Sequence, residues 1–204
     1  MKLSDIILPS KKINFFVVTV LVLGLISGSI FLITLNSTDK ANTILQIQTF
    51  FNNVSKNNIN NGQALKNSLI INYTFIGVIW ILGLTIIGVL FNIFLNYIKG
   101  FIIGFSISSI IATYKTKGLL AALLYVFPSQ VFNVIIISVL TIYSIMFSSN
   151  LLKVVTSKKN NNKLMLKKYT IILIFSIILS FISSLAEVYL FPNILKIIIS
   201  LYVK

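Results

Sequence analysis

The sequence predicts an all-α fold, a polytopic bundle of about five transmembrane helices making one domain over residues 1–204. Three observations carry this. Hydrophobic residues make up 57% of the chain and charged ones 10%, against the roughly 25% charge of a soluble domain. The apolar residues fall in uncharged runs long enough to cross a hydrocarbon core of about 30 Å. The cations, all lysine, cluster beside those runs, where lysine sets orientation and meets anionic head groups.

Residues 1–12 carry Lys2, Lys11 and Lys12, and an uncharged run over 13–38 places the first span at about 13–35. A charged start before an apolar run also describes a signal peptide. This run exceeds a signal core of about 7–15 residues, and no small-residue cleavage site follows it, so it is read as a retained helix. Residues 36–66 are polar. Within them Ile44, Leu45, Ile47, Phe50, Phe51 and Val54 recur at helical spacing, which predicts a short amphipathic helix. It lies on the membrane surface, against a partner, or packed on the bundle. Asn57 to Gly62 then reads as a loop.

Residues 67–98 hold no charge, which is too long for one upright helix. Two helices at about 69–90 and 94–112 are expected, with a tight turn near Asn92 and Lys99 snorkelling to the interface. The next span, about 119–149, contains Pro128, which removes a helical hydrogen bond. Either one bent helix results, or a short re-entrant piece followed by a full span. Residues 153–168 form a loop with six lysines and no acid, which the positive-inside rule places in the cytoplasm. The last span runs over about 169–190, closed by Pro192 and followed by a weakly amphipathic tail. Five crossings from a cytoplasmic N-terminus put segment 36–66 outside. No internal repeat stands out, which disfavours an inverted-repeat transporter.

Several chemistries are excluded by composition. With no Cys and no His the chain lacks thiolate or imidazole metal sites, a Cys nucleophile and a Ser-His-Asp triad. The three acids, Asp5, Asp39 and Glu187, are far apart in sequence, which leaves no carboxylate pair for acid/base work. No catalytic, cofactor-binding or metal-binding residue is assigned, no cofactor is expected, and the protein is not read as an enzyme. Aromatic residues lie inside the apolar runs and do not alternate with lysine, so a net charge of +14 implies lipid contact, not nucleic acid.

The remaining candidates are partner or packing residues. Gly24-Leu25-Ile26-Ser27-Gly28 and Gly100-Phe101-Ile102-Ile103-Gly104 are GxxxG grooves, suited to intramolecular packing or to self-association or a partner helix. Trp80, Gly83 and Gly88 share one span, with Trp80 placed near mid-membrane in a packing role. Phe50 and Phe51 on the external segment form a candidate docking surface, and Pro128 and Pro192 mark helix breaks. Glu187 is the one acid inside an apolar run. It pairs with a lysine, stays protonated, serves a proton relay, or sits at the interface near its helix end.

Read in order, these pieces resemble the stage II sporulation protein M family. The residues are Gly24 to Phe31, Trp80 to Gly88, Lys99-Gly100-Phe101-Ile102-Ile103-Gly104-Phe105, Phe127-Pro128-Ser129-Gln130, and Glu187 with Phe191-Pro192. The resemblance spans about residues 13–192. It implies a multi-pass scaffold of the bacterial cell membrane, at the mother-cell septal membrane during engulfment. It implies as partners two peptidoglycan hydrolases, a lytic transglycosylase and an amidase-endopeptidase. Two other functions compete: a permease subunit of an ATP-driven exporter, and a proton-coupled carrier working through Glu187.

Overall fold

The computed structural model describes residues 10–157 and 162–202. Those residues form seven α-helices and two π turns: α1 (Lys11–Thr34), α2 (Ser37–Ser55), α3 (Asn61–Gly83), α4 (Gly88–Ala121), π1 (Ala122–Val126), α5 (Phe127–Ser157), α6 (Asn162–Leu185), π2 (Ala186–Leu190) and α7 (Phe191–Tyr202). No strand occurs among the described residues. Four helical stretches are long and apolar enough to cross a membrane: Lys11–Thr34, Asn61–Gly83, Gly88–Leu152 and Met165–Ile198. The third folds back on itself. Lys115 takes a left-handed φ of 53° and breaks α4, and the chain beyond it runs antiparallel to residues 88–114. Asn92 meets Ser144 and Asn96 meets Ser138 across that pair.

Local chemistry sets the first helix starts. Ser10, Asn36 and Asn60 each accept a backbone N–H three residues on, from Ile13, Asp39 and Gln63. Asp39 adds a negative charge in the first turn of α2. Between α3 and α4 the chain turns at 84–87, and Asn92 lies well inside α4. This corrects the turn expected near Asn92. An Asn in an apolar run reads as a turn residue, but here it is fully buried and donates to the Ile79 carbonyl at 2.9 Å and to Ser144. Trp80 therefore sits one turn from the end of α3 and not at its middle.

The tightest packing is between α1 and residues 88–114, which run parallel. Their two GxxxG grooves face each other. A methyl group on Gly24 or Gly28 would meet the backbone of Tyr97 and Phe101, and one on Gly100 or Gly104 that of Leu21 and Leu25. Polar contacts reinforce the seam: Asn96 donates to the Val17 carbonyl at 2.9 Å, and Tyr97 donates to Ser27 at 2.7 Å. In a bilayer, such close backbone approach and interhelical hydrogen bonding replace the hydrophobic drive that water would supply.

Pro128 does not break its helix. Both prolines follow π turns in which the N–H of the preceding Phe bonds back five residues, Phe127 to Ala122 and Phe191 to Ala186. Widening the turn spares the carbonyl that the proline ring would otherwise crowd. The two turns share the pattern Ala-x-x-Tyr-x-Phe-Pro: Ala122-Leu123-Leu124-Tyr125-Val126-Phe127-Pro128 and Ala186-Glu187-Val188-Tyr189-Leu190-Phe191-Pro192. This local pattern qualifies the expectation that no internal repeat stands out.

Pro192 likewise does not end the chain's helical path. α7 follows it and is strongly amphipathic, with Leu195 and Ile198 buried against Phe51 and Val54 of α2 and Ile110 of α4. The expected 153–168 loop is shorter than predicted, since α5 reaches Ser157 and α6 begins at Asn162. Lys158 and Lys159, like Lys2 and Asp5, lie outside the described residues.

Candidate functional site: a charged cavity beneath the α2–α7 cap

At one end of the bundle α2 and α7 lie across the helix ends. Phe51 of α2 is 2% exposed and rests on Tyr114 with ring centroids 4.7 Å apart. Phe50 is half-buried, 6.0 Å from the Tyr125 ring. The face carrying both, expected as a docking surface, therefore packs on the bundle. Helical periodicity marks an apolar face without saying what covers it.

Beneath this cap lies a cavity of about 320 Å³. Its roof is Ile47 and Phe50, and its polar walls come from every surrounding element: Ser68 and Asn72 of α3, Lys99 and Ser106 of α4, Ser129 and Gln130 of α5, and Glu187 of π2. Tyr125 and Val126 of π1 complete it. Both π turns thus border the same space, in keeping with the frequent placement of such turns at functional sites.

Glu187 occupies one wall. Its carboxylate accepts from the Ser68 hydroxyl at 2.7 Å and from the Gln130 amide at 3.1 Å, joining three elements distant in sequence. Ser184 accepts from the Asn72 amide at 3.1 Å, and its hydroxyl lies 3.1 Å from the Ser68 oxygen, so the acid heads a small polar network.

Lys99 lies deeper. Gly88 is eleven residues before it, about 17 Å along the helix axis, so a lysine stem reaches neither end of residues 88–114. It is 5% exposed, which corrects the expected snorkelling. Its nitrogen lies 5.7 Å from the centroid of the Phe75 ring. Among the described residues Lys99 forms no hydrogen bond or ion pair, with Glu187 or any other group. The cavity thus holds a hydrogen-bonded carboxylate and a cation that it attracts without touching, bordered by amides and hydroxyls. Such a constellation suits holding a polar group.

The other candidates fall elsewhere. Gly24, Gly28, Gly100 and Gly104 come together at the α1–α4 seam. Gly83 and Trp80 meet at the opposite end of the bundle. Gly83 lies against Ser144 and Tyr169, while Trp80 stacks on Tyr169 at 6.0 Å with its indole N–H buried and unpartnered. Gly88 closes the 84–87 turn against the Leu82 carbonyl. Pro128 and Pro192 stay outside the cavity but follow the π turns that border it. Lys99, Ser68 and Gln130 line the cavity without being among the partner or packing candidates that the sequence singles out. One signal was available: Lys99 is the lone base interrupting its apolar stretch, as Glu187 is the lone acid in its own.

Three of the sequence pieces quoted for the resemblance each send a residue into this cavity, namely Lys99, Gln130 and Glu187. Comparison with known proteins agrees with that reading. A family model described as stage II sporulation protein M matches residues 16–192. No curated protein and no solved structure matched.

Proposed function

Because the chain belongs to the stage II sporulation protein M family, we propose that it is a non-catalytic membrane scaffold of the engulfment machinery, holding peptidoglycan hydrolases at the septal membrane. The observation that carries this reading is the family match, which runs from α1 to the start of α7. The geometry supports a passive role, since many polar groups of the bundle are engaged in interhelical hydrogen bonds or line one cavity. With the N-terminus in the cytoplasm, as the lysine distribution favours, the α2–α7 cap lies outside, beside the wall on which a transglycosylase and an amidase-endopeptidase act. The two GxxxG grooves occupy each other, so partner anchors meet other helix faces.

The test is mild-detergent purification of the tagged protein from sporulating cells, with co-purifying proteins identified by mass spectrometry. Recovery of wall hydrolases is expected. Recovery of a nucleotide-binding ATPase in their place would overturn the scaffold and make the chain an exporter's permease subunit.

A further inference from the structure

We propose that the cavity is a binding site for a compact anionic group of the phosphate class, with Lys99 as its counter-ion. A cation taken out of water is costly unless it is paired or solvated, and Lys99 is buried far from both ends of its helix. The Phe75 ring, 5.7 Å from its nitrogen, offsets only part of that cost. Glu187 attracts the ammonium across the cavity without contacting it, and its oxygens are engaged by Ser68 and Gln130. Direct contact with the ammonium is therefore left to an occupant of the cavity, and an anion supplies it best.

The shape limits the occupant. A volume of about 320 Å³ admits a phosphate with a small polar appendage and excludes acyl chains. The way in also shows on the surface. Ile71 of α3 and Ile102 of α4 both line the cavity and are themselves 55% and 44% exposed. The cavity therefore opens between α3 and α4, on a flank of exposed apolar side chains, while Ile47 and Phe50 roof it at the capped end. A phospholipid suits that entrance: its head group seats on Lys99, and its chains leave between Ile71 and Ile102. A free phosphate shares the chemistry but has to pass the α2 roof.

The experiment uses the purified full chain in nanodiscs of phosphatidylcholine, with no partner proteins. Two probes are added separately, dioleoylphosphatidylglycerol and inorganic phosphate, and binding is read by native mass spectrometry and by the shift in thermal unfolding. Wild type is expected to retain phosphatidylglycerol, Lys99→Arg to keep it, and Lys99→Met to lose it by about tenfold or more, as truncating a buried charge partner does. Ile102→Trp leaves Lys99 in place and narrows the entrance. It is expected to abolish lipid retention while leaving any response to inorganic phosphate intact. A response of wild type to inorganic phosphate alone, lost in Lys99→Met, would support the anion site with a free solute as its source. If wild type binds neither probe, or if Lys99→Met binds each probe as wild type does, the proposal is overturned. The measurement is independent of hydrolase recovery, so either reading can fail alone.

Discussion

Gly28 of α1 lies directly against the Phe101 carbonyl of α4, with no space for a methyl group between the two backbones. The neighbour that would have to move is main chain, so Gly28→Val cannot be absorbed by a rotamer change. Overpacking of this kind costs about 1–3 kcal/mol, occasionally more. The upper end is expected here, read as a lower unfolding midpoint in detergent. The emission of Trp80, the single tryptophan, is a convenient probe. By contrast Gly77, which has nothing within 4 Å of an added Cβ, should accept alanine without loss.

Asn92 ties α3 to α5 at the opposite end of the bundle, donating to the Ile79 carbonyl and to Ser144. Asn92→Leu keeps the volume and removes both bonds. Intramembrane hydrogen bonds are each worth about 0.6–1.7 kcal/mol, so a loss of about 1–2 kcal/mol is expected. Combining it with Ser144→Ala should cost less than the sum of the single changes. Strict additivity in that double-mutant cycle would show that the contact carries no energy.

Glu187→Gln offers the Ser68 and Gln130 donors one acceptor oxygen where the acid offers two. One donor is left facing an amide NH2, at a cost of about 1–3 kcal/mol. Adding Gln130→Glu reverses the direction of the 130–187 bond and should recover part of that stability. For a scaffold, hydrolase recovery is expected to survive Glu187→Gln in intact cells. Its complete loss, with the protein still inserted, would tie the acid to partner binding, whereas a proton-coupled carrier would lose transport.

Lys115 adopts φ 53° and ψ −126° in the middle of the α4 assignment, where a side chain is strained and glycine is not. Lys115→Gly is therefore expected to stabilise the protein by about 1 kcal/mol, measured by chemical or thermal unfolding. An unchanged or lower midpoint would mean that the bend is not held under strain.

The helices themselves were legible in the sequence, because uncharged apolar runs of this length have few other solutions in a chain with so little charge. Their junctions were less so. Asn92 and Lys99 were assigned to turns and interfaces by polarity, yet polar residues inside a bundle are retained where a partner or a cavity awaits them. That depends on which helices meet. The amphipathic face of α2 was plain from its spacing, but its target, Tyr114 and Tyr125, follows only once residue 115 turns the chain back. The GxxxG motifs identified close-packing surfaces without revealing that each was the other's complement. Of the cavity, Glu187 stood out as an isolated acid. Gln130 stood in a piece carrying the family resemblance, whereas Ser68 had no signal, since a hydroxyl in a span acquires meaning from its neighbour.

The parallel seating of α1 on α4 has a consequence for biosynthesis. Gly104 follows Gly28 by 76 residues, and two other helices are made between them. At about 5–20 residues per second, α1 spends several seconds in the bilayer before its complement leaves the ribosome. During that interval its glycine surface is bare to lipid and to any other small-residue helix nearby, including the α1 of a neighbouring nascent chain. Correct assembly thus depends on insertion timing as well as on final stability, and slowing translation between residues 28 and 104 should raise the fraction of misassembled protein.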